Sequence, residues 1–429
     1  MLSVYRSLGQ SLLKSLLVSL CVAAAAMVTQ AGAQQPAVQA APAPLAQPLQ
    51  QALMPPPPPS WAQGRPESMN SSTLVPYPPG MTAKPASEIK LDRIRLPPGF
   101  QIELWAGGMP NARSIAVGAK GTVFVGTRMV ESVYAVVEKN GKREVKTIIK
   151  GLYRPNGIAF HNGSLYVAEL SRILRYDNIE DNLDRPPMPM LVFDALPKDE
   201  PHGWKYLTVG PDGWLYFNIG APCNICVPPD THAQIVRVDP QSGVLETVVK
   251  GVRNSVGMAF HPITREMWFT NHGRDWLGED LPNDTLHRVA KKGVHFGYPY
   301  CHQGDMLDPE HGKGRSCAEF TPPVLKLGPH VAPLGMRFYN GKMFPPEFRN
   351  RIIIANHGSW NRTSKVGFNL MQVTLDGTGR AVKYEPFAEG WAEGNDYWGR
   401  PVDVQVMPDG ALLVSDDVAG ALYRISYKR

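Results

Sequence analysis

Six copies of a two-strand pattern constrain the fold of this chain more than any other feature. Each copy is an alternating apolar stretch, a short turn and a second alternating apolar stretch, and the turns lie near Gly121, Gly163, Gly213, Thr264, Gly341 and Gly410. Apolar alternation around Asn-Gly and Asp-Gly turns predicts β-hairpins. Successive turns are 42, 50, 51, 77 and 69 residues apart, and a four-stranded propeller blade takes roughly 40–50 residues. The pattern therefore predicts an all-β fold, a six-bladed β-propeller of four-stranded antiparallel blades.

The first 33 residues have the organisation of a secretory signal peptide. Arg6 and Lys14 supply a positively charged start, residues 15–28 are apolar, and an Ala-x-Ala cleavage site ends at Ala33. The apolar run is too short to cross a bilayer, and no second one follows it. We therefore expect residues 1–33 to be removed and the mature protein to be periplasmic or secreted, with no transmembrane segment.

Residues 34–88 differ in composition from the rest of the chain. They are rich in Ala, Pro and Gln and include five consecutive prolines, Pro55–Pro59. Such a segment has too little apolar surface to bury a core, and Pro-rich chains favour the extended polyproline II form. We expect a disordered linker that acts as a spacer, with a docking motif as the less favoured alternative. Residues 89–429 are then long enough for one large all-β domain, the propeller.

The charge of the chain argues against a nucleic-acid partner. The sequence has 44 Lys and Arg against 38 Asp and Glu, and removal of the signal peptide leaves 42 basic residues and a net charge of +4. No run of basic residues is present, whereas proteins that bind nucleic acid usually concentrate Lys and Arg on one surface. We therefore expect no nucleic-acid partner.

The cysteines that follow the signal peptide are four in number: Cys223, Cys226, Cys301 and Cys317. An even number in an exported protein predicts two disulfides. The simplest pairing joins Cys223 with Cys226 and Cys301 with Cys317. The Cys-Asn-Ile-Cys sequence leaves a redox-active or metal-binding pair open, whereas Val227 in place of His excludes a c-type haem attachment site.

The hairpin repeat also predicts which residues share one face of the propeller. The start of the first strand and the end of the second lie at the same edge of a hairpin, so residues that flank all six hairpins ring one mouth. The polar residues before the first strands are Arg113, Arg154, Asn156, His202, Arg253, Asn254, His330 and Arg400. The residues after the second strands are Arg128, Glu169, Asn218, Asn271, His272, Gly273, Asn356, His357, Gly358, Asp416 and Asp417.

This ring contains a candidate base and a surplus of arginine. His202 lies at a loop-to-strand junction beside Gly203, and glycine permits close approach of the backbone to a ligand. Several arginines without a matching number of acids would suit a planar ligand with several carboxylates, because Arg offers paired donors to carboxylates. Single Arg or Asn residues at strand ends can instead satisfy neighbouring carbonyls, and the Asn-His pairs at 271–272 and 356–357 can bridge blades.

These residues also carry a resemblance to a known family. The chain resembles the soluble sugar dehydrogenases that depend on pyrroloquinoline quinone (PQQ), which include glucose, aldose and sorbosone dehydrogenase-like proteins. The resemblance covers about Pro98 to Arg429 and rests on five ordered segments: His202-Gly203 ahead of LTVGPDGWLYFNIG, GVRNSVGMAFHP, TNHGRDWLGEDLPNDTLHRV with HFGYPYC, ANHGSWNRT, and GRPVDVQVMPDGALLVSDD. It implies an oxidoreductase with PQQ and Ca²⁺ as cofactors. Such an enzyme oxidises a sugar and passes electrons to an acceptor such as a cytochrome or a quinone.

The resemblance implies roles for individual residues. His202 matches the general base that takes the proton of the anomeric hydroxyl, a task that suits a neutral imidazole. Arg253 matches the arginine that polarises the quinone carbonyl, and Asn254 accompanies it at the cofactor. Gly273 and Arg274 fall where two backbone carbonyls bind Ca²⁺, a hard ion that prefers oxygen ligands. Proline is usual in the family at the second of these positions.

Further basic residues are candidates for the cofactor's carboxylates. Arg400 matches an arginine that binds them, and Arg128 is a further candidate on the same mouth. The family's cofactor-binding lysine has no confident counterpart, and Arg362 or Lys365 would replace it. The carboxylates of residues 279–284 either form a separate calcium site or cap a loop.

Two functions of other classes stay open from the sequence alone. A calcium-dependent lactonase holds its metal in the central mouth through acidic and amide side chains, and the residues at suitable strand edges are Glu169, Asn218, Asn271 and Asp416. The surplus of arginine argues against it. A non-catalytic binding propeller would explain the scaffold but would give no reason for His202 among several arginines.

The two longest steps between turns mark insertions. One surrounds residues 301–317 and the other residues 342–350. We expect the first to lie between blades and to cover the mouth, where it would decide which substrate enters.

Overall fold

Six four-stranded antiparallel sheets form the core of the part of the chain that the structure describes, residues 59–428 of a computed structural model. The all-β, six-bladed propeller predicted from the hairpin repeat is confirmed. The predicted signal peptide and residues 34–58 of the predicted linker lie outside the described residues.

The strands follow one another blade by blade. The first strand is β1 (Phe100–Ala106). The first three blades are β2–β5 (Ala112–Val117, Val123–Thr127, Ser132–Lys139, Lys142–Lys150), β6–β9 (Gly157–His161, Ser164–Ala168, Ile173–Tyr176, Met190–Phe193) and β10–β13 (Leu207–Val209, Leu215–Ile219, Gln234–Val238, Leu245–Lys250). The fourth blade contains β14 (Met258–Phe260), β15 (Met267–Asn271), β16 (Asn283–Val289) and, after the short ribbon β17–β18 (Cys301–His302, Met306–Leu307), β19 (Leu325–Pro329). The fifth is β20–β23 (Pro333–Phe338, Ile352–Asn356, Asn369–Leu375, Ala381–Glu389). After the ribbon β24–β25 (Ala392–Glu393, Asp396–Tyr397), the sixth begins with β26–β28 (Pro401–Val406, Leu412–Asp416, Ala421–Tyr427).

All six hairpins predicted from the sequence are the first two strands of their blades. They are β2–β3, β6–β7, β10–β11, β14–β15, β20–β21 and β26–β27. The second strands β3, β7, β11, β21 and β27 are buried at every position. Short continuous apolar runs are typical of strands that are covered on both faces, and here the neighbouring blades provide the cover.

The sixth blade is completed by a strand from the other end of the chain. β1 pairs antiparallel with β28, with Phe100 opposite Tyr427 and Glu103 opposite Arg424. This pairing closes the ring and leaves no blade incomplete, which removes a pair of exposed strand edges. The hairpin repeat carries no signal for it, because the two strands are far apart in sequence.

The fourth and fifth blades approach each other closely near the start of their first strands. Gly257 precedes β14, and a β-carbon at this position would overlap the carbonyl of Leu334 in the next blade. We expect Gly257→Ala to lower the free energy of unfolding by about 1–3 kcal/mol, the usual cost of overpacking, in a urea titration. The control is Gly377→Ala, because nothing lies within 4 Å of a β-carbon there. Equal effects of the two substitutions would contradict this account of the blade contact.

Insertions account for the two longest separations between successive hairpin turns, and one of these insertions lies elsewhere than expected. The segment with Cys301 and Cys317 connects β16 to β19 within one blade and does not lie between blades. The other insertion separates β20 from β21 and contains the 3₁₀ helix Pro346–Phe348. Both predicted disulfides, Cys223–Cys226 and Cys301–Cys317, are present.

Residues 59–88 do not form the disordered linker that their composition predicted. They contain the 3₁₀ helices Ser60–Ala62, Glu67–Met69 and Ala86–Glu88. The hydroxyl of Tyr77 donates a hydrogen bond to the carbonyl of Ser359 at 3.0 Å. The aromatic side chains of this segment supply apolar surface that the high proline content does not reveal.

The other 3₁₀ helices are Leu91–Arg93, Ile179–Asp181 and Cys317–Glu319. Within residues 59–428, no helix has the length and apolar character that crossing a membrane requires.

Candidate active site

A cavity of about 380 Å³ lies at the mouth predicted from the hairpin edges. It falls within the range of roughly 300–1,000 Å³ that is usual for small-molecule sites. The residues predicted for this mouth that line the cavity are Arg113, Arg128, His202, Arg253, Asn254, His272, Gly273, His330, His357, Gly358 and Arg400. The hairpin pattern therefore brings together residues that flank the hairpins of five of the six blades, all except β6–β7.

Several other residues of the predicted ring hold the backbone instead of lining the cavity. Their side-chain oxygens accept hydrogen bonds from backbone N–H groups near the start of the first strand: Glu169 from Tyr153, Asn218 from Tyr206, Asn271 from Asn254, and Asp416 from Arg400. Buried backbone donors need such partners. These four side chains are the ligand set that a lactonase would require, so the cavity does not present that set to a metal.

His202 is held in one orientation with one nitrogen free. Its backbone has φ +50°, a left-handed conformation that is uncommon outside glycine. Its Nδ1 donates a hydrogen bond to the carbonyl of Ala221 at 2.8 Å, so Nε2 carries the lone pair. Burial, together with the positive charge of Arg253, holds the pKa of His202 well below its usual range. The imidazole is therefore neutral at neutral pH and can accept a proton.

The guanidinium of Arg253 is fixed by the disulfide loop. Its Nε donates to the carbonyl of Asn224 at 2.8 Å, and its Nη2 donates to Asn224 Oδ1 at 2.8 Å and to Asp275 Oδ2 at 2.9 Å. Its Nη1 makes no hydrogen bond to any residue in the described range. Sequence reasoning missed Asn224 and Asp275, although the flanking Cys223 and Cys226 mark a rigid loop.

Asn254 leaves an acceptor open at the cavity wall. Its Nδ2 donates to His272 Nδ1 at 3.1 Å, and His272 Nε2 donates to the carbonyl of Pro333 at 3.0 Å. Burial lowers the pKa of His272 to about 4, so this ring is neutral. Asn254 Oδ1 is buried and has no hydrogen-bond partner among residues 59–428. A buried polar atom without a partner is costly and points to a group that the site binds.

Two arginines of the cavity have no carboxylate partner among residues 59–428. Arg128 stacks 3.7 Å from the ring centre of Trp204, and burial together with the charges of Arg113 and Arg154 lowers its pKa to about 9. Arg400 donates to two backbone carbonyls at 2.8 Å and lies 4.6 Å from the ring centre of Tyr77.

The other two arginines of the cavity are neutralised. Arg113 pairs with Asp417 at 2.5 Å, and Arg253 pairs with Asp275. Arg128 and Arg400 are therefore the two cavity arginines that form no ion pair with a residue of the described range.

The two residues predicted to bind calcium, Gly273 and Arg274, differ in their position relative to the cavity. Gly273 lines the cavity, whereas the side chain of Arg274 is buried away from it, with ion pairs to Asp308 at 2.7 Å and Glu310 at 2.9 Å. The carbonyls of Gly273 and Arg274 accept no hydrogen bond from any residue of the described range. In that same range, no group of three or more His, Cys, Asp or Glu side chains is placed to hold a metal.

Asp284 supports the same loop from within the protein. Its two carboxylate oxygens accept hydrogen bonds from the N–H groups of Gly273 and Ala332, each at 2.8 Å. Burial raises the pKa of Asp284 to about 6. The sequence left open whether the carboxylates of residues 279–284 form a calcium site or cap a loop, and these contacts match a capping role for Asp284.

The candidates for the missing lysine lie outside the cavity lining. Arg362 donates to Asp280 at 2.9 Å and to the carbonyl of Glu279. Lys365 donates to the carbonyl of Trp360 at 3.0 Å and to that of Arg362. Both cations are thus engaged by the loops at the rim, and their proposed contact with a cofactor stays a prediction.

The N-terminal segment and the loop after β21 supply cavity residues that sequence reasoning missed. They are Ser60, Trp61, Pro76, Tyr77, Ser359, Trp360 and Asn361. By contrast, no residue between β16 and β19 lines the cavity, so the insertion with Cys301 and Cys317 contributes none. The expectation that this insertion covers the mouth is therefore wrong, and the N-terminal segment occupies that place.

Comparisons with known proteins agree with this geometry. A family model described as Glucose / Sorbosone dehydrogenase matches residues 189–424, more than half of the chain. An uncharacterized protein of Borreliella burgdorferi is 32% identical over 358 residues, which cover 80% of this chain and 93% of the relative.

Two solved structures share the fold at low sequence identity. The calcium structure of a Trichoderma reesei carbohydrate-active enzyme of family AA12 has a TM-score of 0.67 and 18% identity, and the match covers 83% of this chain and all of that chain. The holo form of the pyranose dehydrogenase PQQ domain from Coprinopsis cinerea has a TM-score of 0.63 and 18% identity, with 78% and 97% covered. From the family model, the chain belongs to the glucose/sorbosone dehydrogenase family, as its resemblance to the PQQ-dependent soluble sugar dehydrogenases implied.

Proposed function

We propose that this protein is an exported quinoprotein dehydrogenase that oxidises an aldose or a related sugar at a hydroxyl or hemiacetal carbon. The observation that carries the proposal is a neutral, oriented His202 in one cavity with two arginines that pair with no carboxylate of the described residues. The family match and the PQQ domain that shares the fold support the same reaction class.

The donor set of the cavity fits PQQ, a planar molecule with three carboxylates. Arg128 and Arg400 would bind carboxylates, because a guanidinium without a carboxylate partner forms strong charge-assisted hydrogen bonds to them. Asn254 would accept a hydrogen bond through its Oδ1 and Arg253 would donate through its Nη1, two atoms that have no partner in the described part of the chain. Arg362 and Lys365 would take part only if the rim loops rearranged.

Calcium fits the same site through backbone oxygens. Within residues 59–428 the Gly273 and Arg274 carbonyls accept no hydrogen bond, so they could act as ligands, and Ca²⁺ accepts carbonyl oxygens. These ligands are backbone oxygens, so such a site needs no cluster of ionisable side chains. The calcium-bound AA12 enzyme with the same fold is consistent with this assignment.

The protein's own residues would divide the work of the reaction. PQQ, when bound, supplies the acceptor for the hydride that leaves the sugar carbon. His202 Nε2 would take the proton of the sugar hydroxyl, and the Ala221 carbonyl keeps the ring in the required tautomer. Arg253, held by Asn224 and Asp275, would stabilise negative charge that develops on an oxygen beside it. A cytochrome or a quinone would then take up the electrons.

The proposal is tested by reconstitution of the mature protein with PQQ and Ca²⁺. We expect an absorption spectrum of bound PQQ and, after addition of an aldose, the band of the reduced cofactor. A dye-reduction assay over a sugar panel identifies the substrate. Absence of both PQQ binding and sugar oxidation would refute the proposal, and lactone hydrolysis without PQQ would favour the lactonase.

Arg128→Gln should weaken PQQ binding without unfolding the protein. A hydrogen bond to a charged group contributes about 1.5–3 kcal/mol, so we expect the Kd for PQQ to rise by about 10- to 100-fold in a fluorescence titration. The matched control is Arg175→Gln, on the third strand of another blade, where the arginine pairs with Asp177. An unchanged Kd in Arg128→Gln would show that this cation does not contact the cofactor.

A further inference from the structure

The N-terminal segment at residues 59–77, here called the strap, forms one wall of the cavity. Its lining residues are Ser60, Trp61, Pro76 and Tyr77. These four residues precede β1 and belong to no blade. The strap therefore adds a wall that the six hairpin edges do not provide.

Hydrogen bonds attach the strap to the residues that hold Arg253. Asn224 donates its N–H to Gln63 Oε1 at 3.1 Å and its Nδ2 to the Gln63 carbonyl at 2.7 Å. Trp276 Nε1 donates to the carbonyl of Trp61 at 2.7 Å. Asn224 also accepts two hydrogen bonds from Arg253, so the strap position and the Arg253 position depend on the same residue.

Aromatic contacts fix the ring of Trp61 at the cavity. It packs edge-on against Trp360 at 6.0 Å between ring centres, and Trp360 packs in the same way against Trp276 at 5.5 Å. The guanidinium of Arg65 lies 4.3 Å from the ring centre of Trp276 and 5.2 Å from that of Trp61. The Trp61 side chain is only partly buried, which leaves part of it to face a ligand.

The size of the cavity limits the substrate. Pockets for small molecules measure roughly 300–1,000 Å³, and this cavity of about 380 Å³ lies near the lower end of that range, so a tricyclic cofactor would leave little of it for the sugar. We infer that the strap restricts the substrate to a single sugar ring and that Trp61 is the residue that determines this specificity. The inference rests on the proposed function and names its substrate class, a monosaccharide.

The test compares sugars of different length in the wild type and in Trp61→Ala, both reconstituted with PQQ and Ca²⁺. The probes are the aldohexose with the highest kcat/KM and the disaccharide that carries the same sugar at its reducing end. We expect the wild type to favour the monosaccharide. In Trp61→Ala the ratio of kcat/KM for the disaccharide to that for the monosaccharide should rise by about tenfold or more, since steric discrimination in a pocket is of this order.

A second variant and a control distinguish an effect of the strap on substrate choice from a general loss of stability. Gln63→Ala removes an anchor of the strap and should shift the ratio in the same direction. Trp214→Ala changes a tryptophan at the turn between β10 and β11, on the opposite face, and should leave the ratio unchanged. An unchanged ratio in Trp61→Ala would overturn the inference, and so would a wild type that oxidises both sugars equally well. In both cases the wild type still oxidises a sugar, so the proposed function would stand. A wild type that neither binds PQQ nor oxidises a sugar would overturn both.

Discussion

Replacing His202 should abolish most turnover while PQQ binding is retained. A positioned general base contributes typically about 10²–10⁴-fold, so we expect kcat to fall within this range. Asn is the preferred substitute, because it tolerates the left-handed backbone that His202 adopts at φ +50°. His202→Ala should show the same loss of turnover, measured by dye reduction per bound cofactor.

The matched control for this experiment is His261→Asn. His261 lies in the turn between β14 and β15, on the opposite face, where its Nδ1 accepts hydrogen bonds from the N–H groups of Ile263 and Thr264. This variant should retain wild-type kcat. Loss of PQQ binding in His202→Asn with normal turnover in the remaining loaded fraction would contradict the role of a base and would indicate a cofactor contact.

The second large effect is expected at the ion pair between Arg274 and Asp308. Their side chains are 1% and 0% exposed, and the two charged groups are 2.7 Å apart. Removing one partner of a buried pair costs about 3–5 kcal/mol, because the other charge is left without compensation. We therefore expect Asp308→Ala to lower the free energy of unfolding by about this amount in a urea titration.

Two further variants sharpen the ion-pair experiment. Asp409→Ala removes the partner of Arg424 at a more exposed site, and such pairs contribute about 0.2–1 kcal/mol. The double variant Arg274→Met, Asp308→Leu should recover part of the loss, since apolar side chains of similar size can replace a buried pair. A loss in Asp308→Ala no larger than in Asp409→Ala would show that solvent reaches Arg274.

The ion pair gives the side chain of Arg274 a structural role. The resemblance implies that proline is usual in the family at this position, whereas this chain has arginine. In the structure the side chain of Arg274 is anchored by Asp308, which in turn accepts a hydrogen bond from His302 at 2.7 Å. The insertion held by the Cys301–Cys317 disulfide thus supports the loop of Gly273 from behind rather than covering the mouth.

The edges of the hairpins identified the mouth but not the task of each residue there. Arg128 and Glu169 both follow second strands in the sequence, yet Arg128 faces the cavity and Glu169 accepts a hydrogen bond from the backbone of Tyr153. The difference depends on whether a nearby N–H group lacks a partner. Side-chain chemistry also decides it, because a carboxylate can accept a hydrogen bond from such an N–H group and a guanidinium can only donate.

The sequence by itself determined the six hairpins, the face on which His202, Arg253 and Arg400 meet, and the two disulfides. Each follows from local rules: alternation with a period of two residues, turn chemistry, and an even number of cysteines. Only the tertiary structure decided that β1 completes the last blade, that Arg274 points away from the cavity, and that Trp61 forms a wall of it. These features join segments that are distant in the chain, and contacts of that kind leave no periodic signal in either segment.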